Sequence, residues 1–215
     1  MEDIQWIGDV DDIFWFGKHR SAPPAKRPKL EMANNAIYNV GTDIHFTTDI
    51  NAGSIQTIIR IITDIIEEKK SQYENSNDKL QIVYIVDSPG GSVSSVLKFV
   101  DFLDLTRKKY PFVEFISIIS GSAASAGTIM AIVADKRYMT QYAGAMIHEL
   151  SSRTEGTYTH LNSRSKHYTT LHDILVNIYV SKTGLDRNYV SELLNKETWF
   201  NAQDYLNAKF IDGIK

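Results

Sequence analysis

The chain predicts an α/β fold with largely parallel strand pairing, and two observations carry that prediction. Strand-like apolar runs alternate with segments whose apolar residues recur at helical spacing. Two of the strand-to-helix junctions are turns built from small residues, Asp87-Ser88-Pro89-Gly90-Gly91-Ser92 and Gly121-Ser122-Ala123-Ala124-Ser125-Ala126-Gly127.

Residues 36–46 suggest short strands, and 52–68 a helix with Ile55, Ile58, Ile59, Ile62, Ile65 and Ile66 spaced for burial. Residues 71–78 read as a polar loop. The run 80–86 reads as a buried strand, ended by a Pro-Gly-Gly turn in which proline sets φ and glycine permits close backbone approach. A helix over 93–109 presents Val93, Val96, Leu97, Val100 and Leu103 on one face and stops at Tyr110-Pro111. A strand over 112–120, the small-residue turn, a helix over 125–134 and strand segments at 137–140 and 145–148 complete a βαβ core. A long helix over 161–182 carries Leu171, Ile174, Leu175, Ile178 and Tyr179. Gly184 ends it, and Asp186 caps a helix over 187–195.

At 215 residues, with 43% hydrophobic and 23% charged residues, the chain has the composition of a soluble intracellular enzyme with one substantial domain. A net charge of −3 argues against a general nucleic-acid binder. The absence of cysteine excludes disulfides, thiolate metal sites and cysteine catalysis. No apolar run approaches the roughly 18 residues of a membrane span, and no signal-peptide pattern occurs. No metal site is expected of His160, His167 and His172, because no carboxylate stands between them at ligand spacing.

Residues 1–36 read as a flexible arm. An acidic head (Glu2, Asp3, Asp9, Asp11, Asp12) precedes the apolar plug Phe14-Trp15-Phe16, and a linker with five Lys/Arg and Pro23, Pro24 and Pro28 follows. The arm is expected to be either a propeptide, cut near Met32-Ala33-Asn34-Asn35, or a tether. The folded domain is expected over 37–215.

Ser125 and His148 hold the chemistry. Ser125 lies at a strand–turn–helix junction, where a hydroxyl is exposed beside unpaired N–H groups. His148 ends an apolar run, and a hydroxyl nucleophile needs such a base near neutral pH. The same residues also suit a serine that caps a helix beside a half-buried histidine.

With the Pro-Gly-Gly turn added, the sequence resembles the proteolytic subunit of the Clp protease and its phage or viral relatives. The resemblance runs from about Ile37 to Lys215 on Asp87-Ser88-Pro89-Gly90-Gly91, Ala123-Ala124-Ser125-Ala126-Gly127, Met146-Ile147-His148, Asn201-Ala202-Gln203-Asp204 and Phe210-Ile211-Asp212-Gly213. It implies the ClpP/crotonase-like fold of repeated ββα units with a long handle helix. It also implies a serine endopeptidase acting on unfolded polypeptide. Ser125 would be the nucleophile, His148 the base and Glu197 the acid, with the amides of Gly91 and Ala126 as oxyanion hole.

No cofactor or metal is implied. The resemblance further implies a homo-heptamer or tetradecamer in the cytoplasm (host cytoplasm for a viral source), with no nucleic-acid or membrane partner. The sequence has no Gly-x-x-x-x-Gly-Lys-(Ser/Thr) loop, so ATP dependence would come from a separate Clp-type unfoldase.

Three departures from the family pattern stand out. Glu197 replaces an aspartate, Glu149-Leu150 replaces Gln-Pro and should loosen the turn after His148, and Lys209 occupies a position where glycine usually ends a helix. The alternatives are a virus-encoded protease that matures capsid or scaffold proteins without an ATPase, a crotonase-like acyl-CoA enzyme, and an inactive scaffold subunit.

Overall fold

Residues 36–215, which the computed structural model describes, begin with a hairpin of two short strands, β1 (Ile37–Val40) and β2 (Asp43–Phe46). Helix α1 (Ala52–Tyr73) follows and buries Ile55, Ile58, Ile62, Ile65 and Ile66, as their spacing predicts. Asn51 and Ser54 cap it reciprocally, each side chain bonding the other's backbone N–H. The helix runs past the expected 52–68 and absorbs the start of the expected 71–78 loop. Ser71 and Gln72 can continue a helix, so polarity alone does not end one.

Strand β3 (Leu80–Ser88) and helix α2 (Val93–Lys109) come next, then strand β4 (Val113–Ala124) and helix α3 (Ala126–Ile132). Strands β5 (Lys136–Met139) and β6 (Gly144–Ile147) precede the long helix α4 (Tyr158–Thr183). Helix α5 (Arg187–Leu194), strand β7 (Thr198–Asn201), helix α6 (Ala202–Asn207) and strand β8 (Gly213–Ile214) follow; the last three were not expected.

The eight strands form one sheet in the order β1-β2-β3-β4-β5-β8, with β6 branching from β4 and pairing with β7. Pairing is parallel except for β1–β2 and β6–β7. With six helices, this is the α/β architecture expected, consistent with the ClpP fold.

β4 explains where the site forms. Its first half pairs with β5 through Ile116–Ile119, and its last three residues pair with β6 (Ser122↔Gly144, Ala123↔Ala145, Ala124↔Met146). The strand changes partner at Gly121, whose φ of 91° only glycine adopts readily. An added Cβ there would meet the Asp87 carboxylate at 2.7 Å, and that carboxylate accepts from the Ser122 N–H at 3.0 Å. The expected strand end at 120 and helix start at 125 are therefore both corrected. Backbone pairing carries the strand through Ala124, and only Ser125 makes the turn.

Helix α4 starts three residues before the expected 161 because Thr157 caps it, accepting from the His160 N–H. It buries only Leu175, Val176 and Tyr179; its first half is exposed, Leu161 included. Gly184 ends it at φ 70°, and Asp186 caps α5, both as expected. Lys209 stands at φ 65°, the strained conformation that its replacement of glycine implies. No strand lies between β6 and α4 among the described residues, and no helix there is long and apolar enough to cross a membrane. The arm over residues 1–35, with its aromatic plug, basic linker and cleavage segment, lies outside the described residues.

Candidate active site

Ser125 is the single residue between β4 and α3. Its φ of 54° and ψ of −122° lie outside the regions open to a residue with a side chain, a strain on the order of 1–3 kcal/mol. Such a conformation persists only where the surroundings over-determine it, and here both its backbone groups are held. The Ser125 N–H donates to the Met146 carbonyl at 2.8 Å, and the Ser125 carbonyl accepts from the Thr128 N–H at 3.0 Å and Oγ1 at 2.6 Å.

The hydroxyl is left out of this network. Ser125 stands at the N-cap position, yet its side chain caps nothing. That removes the capping explanation and leaves Oγ without a hydrogen-bond partner among the described residues. Every residue of α3 behind it is buried, so the turn has no room to relax backward.

The Pro-Gly-Gly turn lies against this serine. The Gly90 carbonyl accepts from the Ile50 N–H at 2.7 Å, and the Ser92 N–H donates to the Ile50 carbonyl at 2.7 Å. A Cβ on Gly90 would fall 2.5 Å from the Ala124 carbonyl oxygen and 2.8 Å from the Ser125 Cβ, so only glycine allows this approach. Among the described residues, neither the Gly91 nor the Ala126 N–H donates a hydrogen bond. Ala126 continues the chain from Ser125 and Gly91 follows the Gly90 that abuts it, so two amides unpaired among the described residues lie near the serine.

His148 follows β6 directly and is half-buried. It shares with Ser125 a cavity of about 20 Å³, walled by Val93, Ala126, Leu150 and Tyr179. That volume holds about one water molecule. The imidazole makes no hydrogen bond to a described residue, and catalytic contacts are often unformed before substrate binds.

Glu197 reaches the same edge by register but not by contact. The antiparallel pairs Met146↔Trp199 and Ile147↔Thr198 put Glu197 at the next position, opposite His148. Its carboxylate nevertheless accepts from the Trp199 indole N–H at 2.9 Å and does not line the cavity. Three of the five expected residues, Ser125, Ala126 and His148, therefore line one cavity; Gly91 follows the Gly90 that abuts Ser125, and Glu197 is adjacent to His148 by register with its carboxylate engaged elsewhere.

Sequence reasoning missed three neighbours. Thr128 and Tyr179 are linked by a 2.6 Å hydrogen bond behind Ser125, and burial pushes the Tyr179 phenol well above its ordinary pKa. Leu150, known from sequence only as a departure, is a wall of the cavity. The chain from 149 to 157 that carries it is held by Tyr168, whose hydroxyl bonds Ser152 and, at 2.9 Å, Thr154. Thr128, one helical turn beyond the serine, could have been flagged from spacing. Tyr179, 51 residues further on, could not. Among the described residues no group of three His, Asp or Glu side chains converges as a metal site would require.

Comparison with known proteins agrees with this geometry. The family model described as Clp protease matches residues 41–215. The chain is 26% identical over 201 residues to the ATP-dependent Clp protease proteolytic subunit 1 of Protochlamydia amoebophila, covering 92% of this chain and 90% of that protein. It is 26% identical to the protein of the same name from Chlamydia trachomatis serovar D, over 68% of this chain and 76% of the relative. The ATP-dependent Clp protease proteolytic subunit of Streptococcus pneumoniae is 27% identical over 77% of this chain and 88% of its own length. The chain belongs to the Clp protease family and is a serine endopeptidase of the Clp proteolytic-subunit type.

Proposed function

We propose that Ser125 is the nucleophile of this endopeptidase, His148 its general base and Glu197 the acid that orients His148. The observation that carries the reading is the strained Ser125, whose hydroxyl bonds no described residue, in one small cavity with His148. In the reaction, Oγ attacks a peptide carbonyl carbon while the imidazole takes its proton. The carbonyl oxygen becomes an oxyanion between the Gly91 and Ala126 N–H groups, each worth roughly 3 kcal/mol in a comparable enzyme. The imidazolium then protonates the leaving amine, and water, deprotonated by the same imidazole, releases the acyl group from Ser125.

Glu197 can serve from its register position through the carboxylate oxygen that the indole leaves free. Carboxylates of either length orient histidines in hydrolases. The exposed first half of α4 favours a ring assembly, a heptamer or a stacked tetradecamer, in which that surface is covered. The relatives are named ATP-dependent, and this chain has no phosphate-binding loop of its own. A separate unfoldase in the cytoplasm would feed it unfolded polypeptide. The acyl-CoA and scaffold alternatives gain nothing from the site, since neither needs a strained serine with a free hydroxyl.

The test is covalent labelling. A fluorophosphonate should modify Ser125 of the full chain, and Ser125→Ala should lose both labelling and peptide cleavage. Modification at Ser88 or Ser122 instead would reject the assignment.

A further inference from the structure

We propose that Thr128 and Tyr179 are positioning residues that hold Ser125 and the Ala126 N–H in their working orientation, with Tyr179 acting through Thr128. The inference rests on the reading of Ser125 as nucleophile and Ala126 as oxyanion donor. It begins with proton counting. Thr128 Oγ1 lies 2.6 Å from the Ser125 carbonyl oxygen and 2.6 Å from the Tyr179 hydroxyl. A threonine hydroxyl has one proton to give, and the carbonyl can only accept. Thr128 therefore donates to Ser125, and Tyr179 donates to Thr128. Burial keeps Tyr179 protonated, so it remains a donor across the working pH range.

The Ser125 carbonyl and the Ala126 N–H belong to one planar peptide unit and point in opposite directions. Fixing the carbonyl with the Thr128 hydroxyl therefore aims the Ala126 N–H. The same bond sets ψ of Ser125, because rotation about Cα–C would swing the carbonyl away from Thr128. One two-link chain thus holds the nucleophile's strained backbone and orients an oxyanion donor. Hydrogen bonding at the carbonyl also polarises the peptide unit and strengthens its N–H as a donor. Tyr179 brings the end of the chain from α4, which packs against α3 from the far side of the cavity.

An interaction with the oxyanion is made in the transition state and not with bound substrate, so its loss should lower kcat and leave KM alone. In the purified full chain, Thr128→Val, which keeps shape and loses the donor, should lower kcat for a short peptide about tenfold. KM should stay within about twofold. Thr128→Ser should restore most of the rate. Tyr179→Phe should cost a few-fold, because Thr128 keeps its own bond to the carbonyl. Affinity for a peptide boronate, which forms a tetrahedral adduct on serine, should fall in step with kcat across the series, a pattern that loss of packing alone would not give.

Wild-type kcat in both Thr128→Val and Tyr179→Phe would overturn the inference. So would a Thr128→Ser variant as impaired as Thr128→Val. Should Thr128→Val fail to fold, Thr128→Ser and Tyr179→Phe decide the question by the same measurements. A wild-type chain that no fluorophosphonate labels would instead remove the underlying reading of Ser125, and this inference with it.

Discussion

The two walls of the Ser125–His148 cavity are built by opposite means. On the serine side, β4 runs straight into α3. Residues 126–132 are all buried, and both backbone groups of Ser125 are bonded. On the histidine side, the chain leaves β6 and crosses residues 149–157 without regular structure, exposed over most of its length. Tyr168 ties it down through hydroxyl contacts to Ser152 and Thr154, and the His160 ring bonds the Glu155 carbonyl at 3.2 Å. Ser125 is held by many contacts, His148 and its flank by few. A site assembled this way is expected to hold the Ser125 side constant, with any adjustment to what enters falling on the opposite wall.

The sharpest challenge to this contrast is Glu197, which belongs to the histidine side. If it orients His148, Glu197→Gln should lower kcat by as much as about 10⁴-fold, since the imidazole loses the partner that selects its tautomer. Glu197→Asp should retain part of the activity. A Gln variant with near-wild-type rates would show that His148 works unaided. Trp199→Phe sharpens the point with a smaller effect: it frees the carboxylate from the indole, and a few-fold change in kcat in either direction would show that the two compete for Glu197. An unchanged rate would mean that the indole bond breaks at no cost when substrate binds.

A smaller effect is expected at Tyr168. Its bonds to Ser152 and Thr154 lie toward the surface, where water competes for the same groups, so they contribute little to stability. Tyr168→Phe should speed fluorophosphonate labelling of Ser125 a few-fold by loosening the segment that carries Leu150. Thermal stability should fall by no more than about 2–4 °C. Labelling at the wild-type rate would show that Tyr168 does not govern access.

Much of this was legible from sequence because it is local. Isoleucine spacing in α1, the Asp186 cap and Gly184 at the end of α4 all follow from a few neighbouring residues, whereas the positive φ of Lys209 was implied by the family resemblance. The convergence of the Pro-Gly-Gly turn on Ser125 rests on two junctions at the same ends of adjacent parallel strands, and only the family resemblance implied it. What was not legible depended on distant pairing. Small residues at 121–124 read as a turn because nothing local shows that β6 will pair with them. β7 was hidden for the same reason, since four residues with two adjacent aromatics carry little periodicity. The Tyr179–Thr128 bond leaves no trace in the pattern at all. It joins a helix that looks merely amphipathic to a helix that looks merely apolar.

The smallness of the cavity has a consequence in time. About 20 Å³ admits a water molecule and no peptide side chain, so if Oγ is reached only through this cavity, the wall carrying Leu150 has to retreat before a substrate or inhibitor arrives. Acylation then has a step that belongs to the enzyme alone. At low inhibitor concentration the labelling rate should rise in proportion to concentration, and at high concentration it should level off at the opening rate. That plateau would be common to reagents of quite different intrinsic reactivity, because none of them can act faster than the wall moves.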